Sequence, residues 1–122
     1  MRALVLAVAA GCALTLPASA HHSHGNYIMT EYTTLQGTVT ELHWVNPHIW
    51  IYLEVMDEAS GEPTVWALEA AGASGLARRG IAKETVEPGD TISVRCHQLR
   101  DRSTGCLLGF LTTEGGEVVE WD

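Results

Sequence analysis

The sequence predicts a small all-β domain, an OB-like barrel of five or six strands with one short helix between strands 3 and 4. Two observations lead to this class. Runs of β-branched and alternating apolar residues recur along the chain and are separated by turn residues. One short helical segment follows the third run and precedes the fourth. Closing such a sheet leaves few free edges, and a small open sandwich is the alternative arrangement.

The first 20 residues have the pattern of a secretory signal peptide. Arg2 precedes an apolar run over residues 3–16, which is too short to span a bilayer comfortably. Ala18-Ser19-Ala20 is a small-x-small cleavage site, so the mature chain would begin at His21. Cys12 after Gly11 offers a lipoprotein processing site as the alternative.

Three segments follow from this pattern: a signal peptide over 1–20, an N-terminal arm over 21–32 and the barrel over 33–122. Loss of Arg2 leaves 6 basic and 15 acidic residues, a formal charge of 6 − 15 = −9. An acidic exported domain repels phosphate backbones, so nucleic acid is excluded as a partner. No later segment has transmembrane length, and we expect a soluble periplasmic or secreted protein.

The first strand runs from Tyr32 to Trp44. A bulge between Gly37 and Glu41 would let Leu35, Val39 and Leu42 all face inward. Asn46-Pro47 then makes a turn, because proline fixes φ and restricts the residue before it.

The second strand, Pro47 to Met56, alternates cleanly. Its core face is predicted to hold Ile49, Ile51, Leu53 and Val55. Its other face carries His48, Trp50, Tyr52 and Glu54, a row suited either to packing or to binding.

The remaining elements follow turn signals. The third strand is predicted over Thr64–Ala70, and the helix over Leu76–Arg79, with Ser74 as N-cap and Gly80 as the C′ residue. Strands over Thr91–Leu99, Cys106–Thr113 and Val118–Trp121 complete the chain.

Only Cys96 and Cys106 remain after maturation, and export implies an oxidising compartment. A symmetric hairpin centred near Asp101 would place them directly opposite each other, which predicts a disulfide. The alternative is a soft-metal site formed by both thiolates and His97.

Two histidine clusters predict a transition-metal site, with copper as the preferred ion. The amine and imidazole of His21 could chelate Cu(II) together, and His48 beside the Asn-Pro turn is the second anchor. His22 or His43 would assist, and His24 and His97 are further possible donors. A solvated polar arm that binds metal only adventitiously is the competing interpretation of the first cluster.

The alternative function is capture of a non-metal ligand or a periplasmic protein partner. The candidate surface comprises Trp44, Trp50 and Tyr52 together with His48. No set of nucleophile, base and orienting residue is evident, so we expect a binding module rather than an enzyme.

Several motifs together resemble those of a family of small exported bacterial proteins classed as a domain of unknown function. They are His21-His22-Ser23, Gly37-Thr38-Val39, Trp44-Val45-Asn46-Pro47-His48, Gly75-Leu76-Ala77-Arg78-Arg79-Gly80, Pro88-Gly89-Asp90 and Leu99-Arg100-Asp101. The resemblance covers the mature chain and implies export and a small β-barrel, but no activity. The cysteine pair looks like an addition to the family pattern. The architecture is also similar to periplasmic OB-type barrels that carry copper or other cationic ligands, an analogy at the level of the fold.

Overall fold

The computed structural model describes residues 24–122, which form six strands, one α-helix and two short 3-10 turns. The strands are β1 (Thr33–His43), β2 (Ile49–Met56), β3 (Pro63–Ala70), β4 (Thr91–Gln98), β5 (Gly105–Thr112) and β6 (Val118–Glu120). The helix α1 spans Ala73–Arg78, and the 3-10 turns span His24–Asn26 and Lys83–Thr85. The predicted signal peptide, Cys12, His21 and His22 lie outside the described residues.

Five of the strands close into a barrel, which confirms the predicted class. β1 pairs with β2 and β4, β2 pairs with β3, and β4 pairs with β5, all antiparallel. The parallel pairing of β3 with the first half of β5 closes the ring. The second half of β5 no longer pairs with β3. It pairs with β6 instead, which adds a sixth strand to the sheet at this point.

The first strand curves inward through a bulge at the predicted place. Its register against β2 shifts between Val39 and Glu41. Leu35 and Val39 are buried, and they lie an even number of residues apart. Leu42 lies an odd number of residues from both, and the extra residue of the bulge turns its side chain to the same core. Gly37 allows a close approach of β2, because a Cβ there would lie 2.1 Å from the Glu54 carbonyl oxygen.

The Asn-Pro corner caps the helix, a role that the sequence analysis did not foresee. Ser74 was expected to be the N-cap, but the N-cap residue is Gly72, which provides no side-chain cap. The Ser74 N–H instead donates to Asn46 Oδ1 at 3.0 Å, and Asn46 Nδ2 donates to Ser74 Oγ at 2.9 Å. A residue 28 positions earlier in the chain thus satisfies a helix N-terminal donor. Gly80 ends the helix with φ of 80°, as predicted.

The disulfide between Cys96 and Cys106 is present, but the predicted register is wrong. Cys96 lies opposite Leu108, and Cys106 lies opposite Gln98, so the two cysteines are diagonal rather than directly opposed. The hairpin is centred one residue later than expected, which accounts for the offset. Their Cα atoms are nonetheless only 5.6 Å apart, within the usual range for a bridge. Both sulfur-bearing residues are fully buried, so the bridge belongs to the core.

The contact between the corner and the helix gives a stability prediction with a matched control. A Cβ at Gly72 would meet the Pro47 carbonyl oxygen at 2.5 Å and Asn46 Oδ1 at 2.8 Å. Gly72→Ala should therefore lower the free energy of unfolding by about 2 kcal/mol, a typical cost of overpacking. Gly75 lies inside α1 with no heavy atom within 4 Å of the added Cβ, so Gly75→Ala should raise it by up to about 1 kcal/mol. Urea denaturation of both variants measures the difference, and equal effects would contradict this description of the corner.

Candidate metal centre

The N-terminal arm is bound to the barrel through backbone hydrogen bonds. Tyr27 forms a β-bridge with Leu99, and the Ile28 N–H donates to the Gln98 carbonyl oxygen at 2.9 Å. The Arg100 N–H donates a hydrogen bond of 2.9 Å to the Asn26 carbonyl oxygen. The arm thus extends the end of β4 as a short added strand.

Side chains of the loop between β4 and β5 add to this attachment. Arg100 Nε donates to the Gly25 carbonyl oxygen at 2.6 Å, and Arg102 forms an ion pair of 3.1 Å with Glu31. Arg102 itself has a φ of 62°, and Gln98 Nε2 donates to its carbonyl oxygen. This loop therefore contacts both ends of the part of the arm that the structure describes.

Docking of the arm creates a cavity of about 170 Å³ at one end of the barrel. Five polar residues from the arm, the loop between β1 and β2, and β3 contribute to its wall. They are His24, Asn26 and Tyr27 from the arm, His48 from the loop between β1 and β2, and Glu69 from β3. Ala70, Ala71, Leu107 and Asp122 complete the lining. Residues from five separate parts of the sequence therefore meet at this cavity.

His48 is held in this cavity by acceptors on one of its ring nitrogens. Its Nδ1 lies 3.2 Å from the Ala70 carbonyl oxygen and 3.3 Å from Glu69 Oε1. A carbonyl oxygen can only accept a hydrogen bond, so Nδ1 carries the hydrogen and donates it. In the neutral imidazole the lone pair is then on Nε2, the nitrogen that would bind a metal ion. A carboxylate next to the other nitrogen is a common way of orienting a metal-binding histidine.

Tyr27 connects the arm to the same carboxylate. Its side chain is 8% exposed, and its hydroxyl donates to Glu69 Oε2. Burial, together with the hydrogen bond and the negative charge of Glu69, raises the pKa of the phenol well above its ordinary value of 10.0. Glu69 thus joins Tyr27 to His48, one carboxylate oxygen to each.

His43 and His48 were expected to lie near each other, but they contact different partners. His43 Nε2 lies 2.9 Å from Glu41 Oε2, and its ring meets Tyr52 edge to face at 5.2 Å. The side chain is half exposed on the outer face of the sheet. It does not line the cavity that contains His48.

The three aromatic residues of the predicted binding face are divided between two environments. Trp50 and Tyr52 lie half-buried on the outer face, opposite His43 and Glu41 of β1. Trp44 instead packs against the core and meets the fully buried Trp121 edge to face at 6.1 Å. Only Trp50 and Tyr52 therefore form a continuous surface with His43.

The soft-metal site considered for His97 does not form, whereas its role as a further donor to a metal held by His21 stays a prediction. Its cysteine neighbours are joined to each other in the disulfide, which removes the thiolates of the soft-metal alternative. Its Nδ1 instead contacts backbone oxygens of the arm, at 3.0 Å from Ile28 and 2.6 Å from Glu31.

The described residues alone do not form a complete metal site. Within residues 24–122, no group of three or more His, Cys, Asp or Glu side chains is arranged to hold a metal ion. His24 and His48 share the cavity, and the predicted ligands His21 and His22 belong to the segment just upstream of it, outside the described residues. In the described part of the chain, no helix has the length and apolarity needed to cross a bilayer.

Sequence reasoning missed Glu69 and Tyr27 as components of the site. One signal was available, since Glu69 is a single carboxylate between Leu68 and Ala70 in an otherwise apolar stretch. Its proximity to His48 depends on the register of β2 against β3, in which Ile49 lies opposite Ala70. Periodicity within either strand does not fix that register.

The comparisons with known proteins identify a family without an assigned activity. The model of a family described as "Family of unknown function (DUF6152)" matches residues 9–108. No curated protein and no solved structure matches the chain. The resemblance inferred from the sequence motifs is thereby confirmed, and function has to be argued from the site.

The bond between Tyr27 and Glu69 predicts a loss of stability in alkali. Because the pKa of Tyr27 is raised on folding, the unfolded chain loses this proton first as pH rises above 10.0. The free energy of unfolding should fall between pH 10 and 11.5, and it should fall less steeply in Tyr27→Phe. Tyr52→Phe is the control, since Tyr52 lies outside the cavity. Urea denaturation across this pH range would contradict the assignment if Tyr27→Phe and wild type had the same slope.

Proposed function

We propose that this chain, which belongs to DUF6152, is an exported module of the cell envelope that binds a transition metal, preferably copper. The observation that carries the proposal is the meeting of His24 and His48 at one cavity, with Glu69 orienting His48. Imidazole and amine nitrogens are ligands that suit Cu(II). The function is binding rather than catalysis.

The length of chain upstream of the cavity supports a contribution from His21 and His22. His24 lines the cavity, and His21 is three residues earlier. Three extended residues span at most about 11 Å, so the Cα atom of a mature N-terminal His21 would lie within that distance of the Cα atom of His24. We therefore propose His21 and His48 as the principal ligands, with His22 or His24 assisting. His43, which has its own partners on the outer face, is left out of the set.

The charge around the cavity also supports a cationic ligand. Glu69 and Asp122 both line it, and no lysine or arginine is among the lining residues. Two carboxylates favour the entry of a cation over that of an anion. A volume of about 170 Å³ accommodates a hydrated metal ion rather than an extended organic ligand.

The outer face of the sheet is the second candidate, because its composition favours a ligand of positive charge. β1, β2 and β3 contain Glu41, Glu54 and Glu69 but no lysine or arginine. Trp50 and Tyr52 share the outer face with Glu41 and Glu54 and are partly exposed, whereas Glu69 lines the cavity. The faces of aromatic rings attract cations, and OB-type barrels use this side of the sheet for binding. A ligand of this face would survive removal of the arm, whereas the copper site would not.

Titration of the mature protein with Cu(II), followed by calorimetry and by electron paramagnetic resonance, tests the metal proposal. His48→Ala should weaken binding by about 100-fold, because it removes an oriented ligand. His21→Ala should have a similar effect. One glycine inserted before His21 should also weaken binding, since it displaces the amine while every side chain remains.

His43→Ala is the matched control for these variants, because it removes an exposed imidazole without touching the cavity. It should leave the affinity within about threefold of wild type, less than 1 kcal/mol. Circular dichroism verifies that each variant is folded. The proposal would be wrong if the glycine insertion and His48→Ala both bound copper as tightly as wild type.

A further inference from the structure

We propose that His97 is a positioning residue for the cavity, a buried clasp that holds the arm in place without binding the ligand itself. The clasp follows from contacts within the described residues, and only its effect on metal affinity rests on the proposed function. His97 lies in β4, and no sequence motif points to this role.

The geometry identifies a single donor shared by two points of the arm. His97 Nδ1 lies 3.0 Å from the Ile28 carbonyl oxygen and 2.6 Å from the Glu31 carbonyl oxygen. Both oxygens can only accept, so Nδ1 carries the hydrogen and donates it to the arm. The side chain is 7% exposed, and water cannot easily replace these bonds.

The ring of His97 is also held by stacking. Tyr32, which directly precedes β1, lies parallel to it with centroids 4.2 Å apart and planes inclined by 28°. Arg95 lies over the Tyr32 ring at 5.4 Å and over Phe110 at 4.4 Å. Tyr32 is the last residue of the arm, so this stacking is a further contact between His97 and the arm and helps to fix the orientation of the imidazole.

The clasp lies between the barrel and the residues that reach the cavity. Ile28 is bound to Gln98, and the next residue upstream, Tyr27, reaches Glu69 beside His48. If the carbonyls of Ile28 and Glu31 lose their donor, the arm keeps fewer attachments and His24 loses its place beside His48. An effect on the cavity is thus expected from a residue that does not line it.

Two polar substitutions distinguish the effect of the hydrogen-bond donor at Nδ1 from the effect of losing the imidazole ring. In His97→Asn the side-chain amide nitrogen falls near the position of Nδ1, whereas in His97→Gln it falls near the position of Nε2. Asparagine should keep the bond to the arm and glutamine should lose it. Because both variants bury an amide of similar polarity, a general loss of stability would affect them alike.

The experiment combines amide hydrogen exchange of the metal-free mature protein with Cu(II) titration of the same samples. In His97→Gln the amides of Ile28 and Arg100, which bond across the arm, should exchange about tenfold faster than in wild type. The amides between β2 and β3 should be unchanged. Copper affinity should fall about tenfold in His97→Gln, and His97→Asn should restore most of both properties.

The possible outcomes separate this proposal from the function it deepens. Unchanged exchange of Ile28 and Arg100 in His97→Gln would overturn the clasp, as would equal losses in the asparagine and glutamine variants. If wild type bound no copper, the proposed function would fail and with it the effect of His97 on affinity. The exchange data would still decide whether His97 holds the arm.

Discussion

The candidate site depends on the attachment of a polar N-terminal arm to one end of a small barrel. Without that attachment His48 would lie at the end of a strand with one carboxylate beside it. With it, Tyr27 reaches Glu69, His24 shares a cavity with His48, and the loop after β4 forms hydrogen bonds to the arm. Individually these hydrogen bonds are each worth about 1 kcal/mol, so the arm is held by their combination.

The barrel itself is built so that its corners serve two purposes. The Asn46-Pro47 corner connects β1 with β2 and also caps α1 through Asn46, which fixes the segment that ends in His48. The buried bridge between Cys96 and Cys106 joins β4 to β5 beside His97 and just before the loop that binds the arm. The contacts that stabilise the barrel at these two places therefore also position residues next to the cavity and the arm.

The sequence predicted much of the fold and less of the site. Alternation along β2, the bulge before Glu41 and the glycine after α1 are local signals, and each was confirmed because local geometry alone determines it. The centre of the β4–β5 hairpin was predicted one residue too early, which displaces the pairing by two residues, and the capping of Ser74 by Asn46 was missed. Both depend on contacts between distant residues, as does the meeting of Glu69 with His48 and Tyr27.

We propose that the metal ion binds in the cavity beneath the arm. Nuclear magnetic resonance of ¹⁵N-labelled mature protein with substoichiometric Cu(II) tests it most directly, because the paramagnetic ion broadens the signals of nearby amides. The amides of Tyr27, Ala71 and Leu107, which line the cavity, should broaden first. Broadening centred on Tyr52 and Glu54 of the outer face, with the cavity amides unaffected, would contradict the account.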